Sequence, residues 1–193
     1  MARIKTFDPT SVIDRAMQLF WRQGYEATSV QELVEALGIG RGSLYDTFGD
    51  KHTLFLASLD RYSEMVFSAL MPPLQAEGLE RDALQQVLMR VLDLATAPSH
   101  PPGCLMTNTL AELGLRDTDV AQRLLLNYRQ LESALITVLR RGQETGEIAV
   151  RHTAPALARF LLTTMQGLRV LAKAQPDRAL LEEVVSVALT TLA

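Results

Sequence analysis

Apolar residues recur along this chain at spacings of three and four, and nowhere do they alternate over the length of a strand. The sharpest case is Val30, Leu33, Val34 and Leu37, which fall at i, i+3, i+4 and i+7 on one helical face. Ser29 precedes them with Glu32 three residues on, the capping-box pattern of a helix start. Gly38 follows the last of them, where a helix end favours a residue tolerant of positive φ. After a turn of a few residues a second short run opens near Arg41, with Leu44, Tyr45 and Phe48 apolar, and Asp50 is placed to cap a third helix that opens at Lys51. Two short helices across a tight glycine-containing turn predict a helix-turn-helix over about residues 29–48. The second helix of such a motif enters the DNA major groove.

The rest of the chain reads as further helices. Asp8 and Pro9 form an N-cap and first-turn pair ahead of the stripe Val12, Ile13, Ala16, Leu19 and Phe20, which Gly24 ends. Trp21 and Tyr25 are expected to pack on the helices that follow. A long helix runs from Lys51 to about Leu70, with Met71-Pro72-Pro73 expected to stop it. Amphipathic stretches then predict helices over about Arg81–Ala97, Cys104–Leu113, Thr118–Arg141, Thr153–Ala174 and, after Gln175-Pro176-Asp177, Arg178–Leu192. The expected fold class is all-α, about nine helices: a three-helix N-terminal helix-turn-helix domain over 1–51 and a helical effector-binding and dimerisation domain over 52–193.

The last two helices are apolar nearly all round, and such helices are buried. Both could be core of one subunit; a partner subunit is the alternative cover. The second reading predicts a dimer face with Phe160, Gly167, Leu168, Leu181, Val184, Val185 and Ala188, where Gly167 lets two helices approach closely.

Composition narrows the classes. The chain has 193 residues, 48% of them hydrophobic and 21% charged, and its net charge is −3, the profile of an ordinary globular protein. Charges interrupt every apolar run before about 18 residues, so no transmembrane helix is expected. No apolar leader follows the N-terminus, and the one cysteine rules out an internal disulfide framework, so the cytoplasm is the expected location. The overall acidity is not that of a generic nucleic-acid binder. Even residues 1–51 hold six basic against seven acidic side chains. Any DNA affinity must come from a few well-placed cations. Arg3 and Lys5 could reach a phosphate ahead of the first helix. Three separated histidines, with no metal-ligand spacing, nucleophile elbow or phosphate loop, argue against an enzyme, a bound metal or a cofactor.

The second helix of the motif carries the candidate DNA contacts. Gly42 lies inside it, where glycine costs about 1 kcal/mol relative to alanine, a cost that close approach of another molecule would explain. Arg41 and Ser43 flank it. Tyr45 offers a phosphate-reaching hydroxyl while its ring is expected to pack inward. Lys51 lies at a helix start, where an ammonium opposes the dipole but would share a phosphate with the helix N-terminus. Thr28, Ser29 and Thr47 complete the set. Asp46 faces the same way and could accept from a cytosine amino group.

The segments G-Y-E-A-T-S-V-Q-E-L, from Gly24, and L-G-I-G-R-G-S-L-Y-D-T-F-G-D-K, from Leu37, resemble the N-terminal signature of TetR-type transcriptional regulators. The likeness covers roughly the first quarter of the chain at fixed spacing. The chain departs from it at Ile39-Gly40, where a serine or a Val-Ser pair is common, and at Asp46-Thr47, where an aromatic or histidine pair is common; both departures bear on operator sequence. The resemblance implies a homodimer paired through its last two helices, double-stranded palindromic operator DNA as partner, and release by a small-molecule inducer. An all-helical interaction protein that does not bind an operator is the other class compatible with Asp46 and the acidic charge.

An inducer pocket is expected among the middle helices. Polar residues on otherwise apolar helices are its candidates: Asn108, Glu112, Tyr128, Gln166 and Arg169. Cys104 joins them. A cysteine at a helix N-terminus feels the positive end of the dipole, which favours thiolate, and Lys173 is a candidate cationic neighbour. The segment Gly103-Cys104-Leu105-Met106-Thr107-Asn108 resembles the same segment of TetR-type regulators, some of which sense electrophiles or oxidants through that cysteine. The alternative is a small buried hydrophobe that only packs.

Overall fold

The computed structural model describes residues 7–175 and 177–193. Arg3, Lys5 and Pro176 lie outside the described residues. Nine helices and no strand are present among the described residues. They are α1 (Pro9–Gln23), α2 (Val30–Leu37), α3 (Arg41–Phe48), α4 (Lys51–Gln75), α5 (Glu80–Thr96), α6 (Leu105–Leu113), α7 (Thr118–Thr145), α8 (Ala154–Ala174) and α9 (Arg178–Thr190).

Local chemistry sets most of these boundaries. Asp8 accepts from the Thr10 and Ser11 amides and starts α1. Ser29 and Glu32 close a complete capping box on α2, with the Ser29 amide donating to Glu32 at 2.7 Å. Gly38 ends α2 in the left-handed conformation at φ 64°. Asp50 accepts from Thr53 and starts α4. The α5 N-terminus has no capping side chain of its own; the Glu147 carboxylate takes the Glu80 and Arg81 amides at 2.9 and 2.8 Å.

Pro72 and Pro73 do not stop α4, contrary to expectation: the helix continues to Gln75. A proline removes one intrahelical donor and frees the carbonyl four residues back. The carbonyl freed by Pro73 is that of Ala69, and it accepts from the Arg90 guanidinium at 3.0 Å. Pro73 and Leu74 are buried, so packing holds the last turn in place.

Helices α1 to α3 form a small bundle around Phe20, Leu33, Leu37 and Leu44, all fully buried. Complete burial of such a side chain contributes about 1.5–3 kcal/mol. Helix α4 packs on α1 and α3 at its start and on α5, α6 and α7 further along. Its Phe55 makes an edge contact with Phe20 at 4.9 Å between ring centroids. As expected, Trp21 and Tyr25 pack on α4, against Tyr62 at 4.8 Å and Phe55 at 4.7 Å. Helices α5, α7, α8 and α9 build the second core around Leu84, Leu88, Leu135, Leu161 and Leu168.

Candidate nucleic-acid interface and the buried thiol

The outer face of α3 is open. Arg41, Gly42, Tyr45 and Asp46 are exposed, and Ser43 and Thr47 half-buried, while Leu44 anchors the helix inward. The Tyr45 ring does not pack inward: it is 36% exposed and the Arg41 guanidinium lies 5.8 Å from its centroid. A Cβ built at Gly42 would meet nothing of this chain within 4 Å. Nothing inside the subunit therefore requires glycine there. Lys51 stands over the Tyr25 ring at 4.2 Å, a cation–π contact of about 0.5–1 kcal/mol at such a site.

Thr28 is not on this surface. It is fully buried, and its hydroxyl donates to the Gly24 carbonyl at 2.6 Å, closing the loop between α1 and α2. Ser29 is exposed, but its hydroxyl accepts the Glu32 amide as the helix cap.

The expected pocket residues separate into two groups. Cys104, Tyr128, Gln166 and Arg169 come together, joined by Tyr62 and Thr107. Burial pushes the Cys104 thiol up, but the Arg169 guanidinium and hydrogen bonds from Thr107 and Tyr62 outweigh it and hold the thiol below its ordinary value. Burial holds Tyr62 well above the ordinary tyrosine value, so its hydroxyl stays protonated and donates. Arg169 is 4% exposed, and no carboxylate lies within ion-pairing distance of it among the described residues. The Gln166 side-chain nitrogen and the Tyr128 hydroxyl are buried without a hydrogen-bond partner. Thr107 was legible in outline, lying one helical turn after Cys104; nothing along the chain marks Tyr62, which reads as one more apolar position on α4.

Asn108 and Glu112 are not part of that cluster. Glu112 reaches the N-terminal bundle and accepts the Tyr25 and Glu26 amides at 3.1 and 2.8 Å. Asn108 accepts from Lys173 at 3.4 Å, so Lys173 is not the cation beside Cys104; Arg169 is. The turn that holds Glu112 is the one after Gly24, whose φ of 86° and close packing against the carboxylate exclude a side chain. A second tie joins α4 to the start of α7, where His52 lies 2.7 Å from Asp117.

The expected dimer residues also divide. Leu168, Leu181, Val185 and Ala188 are buried inside the subunit, because α8 and α9 lay one apolar face on α5. Phe160, Gly167 and Val184 face outward, with Val170, Leu171, Leu180 and Val187. No group of three or more His, Cys, Asp or Glu side chains among the described residues has the geometry to hold a metal ion, and no helix is long and apolar enough to cross a membrane.

A short, outward-facing second helix on a three-helix bundle, joined by one long helix to a larger all-helical unit, is the architecture of a two-domain helix-turn-helix DNA-binding regulator. Residues 12–58 match the bacterial regulatory proteins of the tetR family, and residues 78–188 match the tetracyclin repressor-like C-terminal domain; the chain belongs to the TetR family of transcriptional regulators. It is 35% identical to the uncharacterised HTH-type transcriptional regulator YezE of Bacillus subtilis (strain 168) over 193 residues, the whole of both chains. It is likewise 35% identical to the HTH-type transcriptional repressor ComR of Escherichia coli (strain K12), over 98% of this chain and 90% of that one. Among solved structures, a cysteine-substituted form of the TetR-family regulator CifR bound to 26-bp operator DNA superposes with a TM-score of 0.89, at 29% identity and full coverage of both chains.

Proposed function

We propose that this protein is a homodimeric repressor that binds a palindromic operator in the cytoplasm and leaves it when a small molecule or electrophile reaches the Cys104 cluster. The observation that carries the reading is the open face of α3. It presents Arg41, Ser43, Tyr45 and Thr47 around a glycine that no contact within the chain requires. Direct contact of Arg41 with a base edge would specify sequence, while Tyr45 and Lys51 would grip phosphates. The relative named as a repressor and the neighbour solved on operator DNA support the same reading.

The outward apolar residues of α8 and α9 supply the pairing face. Two copies related by a two-fold axis would set their recognition helices about 34–36 Å apart, one DNA turn, or a small multiple of it. Gly167, open on this side, would let the α8 helices cross closely.

Release follows from the buried cluster. A quinone would add to Cys104 by conjugate addition: a carbon–sulfur bond forms and the thiol proton ends on the quinone. The adduct enlarges a site at the start of α6, and α6 holds the reader through Glu112. To release DNA, the adduct must fit the DNA-incompetent arrangement better than the competent one. The test is a gel shift on operators selected from a random pool, with and without benzoquinone, for the wild type and Cys104→Ser. Both proteins should bind, and only the wild type should be released. Release of Cys104→Ser by the same reagent would assign the thiol to packing. Failure of the wild type to select any operator would overturn the reading as a whole.

A further inference from the structure

A cleft of about 350 Å³ lies between the end of α1 and the helices α6 and α8. Trp21, Arg22, Gln23 and Gly24 line one wall; Asn108, Glu112 and Lys173 line the other. The volume falls at the small end of the roughly 300–1,000 Å³ typical of small-molecule sites. The cleft shares no lining residue with the Cys104 cluster, which adjoins it where Trp21 meets Tyr62, and one of its walls belongs to the DNA-reading bundle.

Its polar groups are mostly donors. Two of the acceptors are already engaged: Glu112 takes the Tyr25 and Glu26 amides, and Asn108 takes Lys173. Free donors remain on the Arg22 guanidinium, whose Nε alone is used on the Gln18 carbonyl, on the Lys173 ammonium and on the amides of Asn108 and Gln23. Neither Arg22 nor Lys173 has a carboxylate within ion-pairing distance among the described residues. The indole nitrogen of Trp21, a residue only 3% exposed, is buried with no hydrogen-bond partner. A buried donor left unmade costs about 1–3 kcal/mol.

We propose that this cleft binds a small oxyanion, a carboxylate or phosphate group held between Arg22 and Lys173, and that its occupancy changes operator affinity. Two cations from separate walls favour an anion that bridges them. The anion bridges the end of α1 to the end of α8, so it fixes the reader against the effector unit. Coupling of this kind is reciprocal: an anion that shifts operator affinity has its own affinity shifted by the operator by the same factor. The coupling, unlike the binding, rests on the operator reading above.

Trp21 is the chain's single tryptophan, so its fluorescence reports the site directly. The full-length protein is titrated with succinate and with inorganic phosphate at constant ionic strength, with potassium chloride as the control. A saturable change with either oxyanion and none with chloride is expected, weakened at least tenfold in Lys173→Gln and in Arg22→Gln. Both side chains are exposed, and matching far-UV circular dichroism and melting midpoints would show that the variants fold. No saturable change with either anion, an equal change with chloride, or unaltered affinity in both variants would overturn the site. A saturating anion should shift operator affinity at least threefold in the wild type and not in Lys173→Gln. Saturable fluorescence with unchanged operator affinity would overturn the coupling and leave the binding site intact.

Discussion

The face of α3 and the surroundings of Cys104 both present polar side chains without partners inside the chain, and they do so under opposite conditions. Arg41 and Tyr45 stand in water, where an unpaired donor is hydrated at no cost. Gln166 and Tyr128, beside the buried Arg169, each hold a buried donor atom with no hydrogen-bond partner, and there each unmade bond weakens the fold. The first arrangement leaves its groups free for a partner as large as a duplex. The second stores a local destabilisation that a small ligand, or a charge on the cysteine, would relieve. The two regions are joined through Glu112, on the helix that Cys104 begins, which accepts two amides of the turn that leads into the motif.

That contrast can be broken in four ways, from the largest expected effect to the smallest. Arg41→Ala should cost about 1–3 kcal/mol of discrimination at one operator position while leaving the melting midpoint unchanged, because an exposed residue outside the core is removed. Tyr45→Phe and Lys51→Ala should instead weaken all sequences about equally. Operator selection by each variant checks this, and an unaltered preference in Arg41→Ala would take the guanidinium out of base readout.

Gly24→Ala should destabilise the protein by about 1–3 kcal/mol, since its φ of 86° disfavours a side chain and the added Cβ would stand 2.8 Å from the Glu112 carboxylate. Urea unfolding measures the cost. In a Glu112→Ala background the cost should shrink, because the steric part disappears and only backbone strain remains. Equal costs in the two backgrounds would mean that the carboxylate is not the obstacle.

Arg169→Met tests the buried side. The guanidinium holds the thiol down, so its removal should raise the thiol pKa, and at pH 7 less thiolate would be present. Alkylation of Cys104 by iodoacetamide should slow by roughly threefold or more, and its rate-against-pH curve should move to higher pH. A curve that does not move would show that Thr107 and Tyr62 alone set the thiol. The smallest effect is expected from Tyr128→Phe. Deleting a buried hydroxyl with no partner should leave stability unchanged or raise it by up to about 1 kcal/mol; a clear loss in calorimetry would mean that the hydroxyl is paired.

The helix-turn-helix was legible because its determinants are local. The Ser29–Glu32 capping box, the left-handed Gly38 and the Asp50 cap each act within four residues, so spacing alone exposes them. Periodicity likewise determined the all-helical architecture seen among the described residues. What spacing did not reveal was which face of a helix finds a neighbour. Leu168 and Phe160 both read as apolar positions on α8, yet one is fully buried on α5 and the other open. Thr28 adjoins a DNA-facing motif but turns inward to Gly24. Pro72 and Pro73 read as a helix stop, and α4 continues because an arginine 17 residues beyond Pro73 accommodates the freed carbonyl. Asn108, Glu112 and Lys173 looked like companions of Cys104, but a helix sends residues a turn apart in different directions, and the packing of α6 between α1, α7 and α8 decided where each one points. Caps and periodicity depend on a few consecutive residues and are written in the chain; the partners of a buried polar group come from distant segments, and only the tertiary structure supplies them.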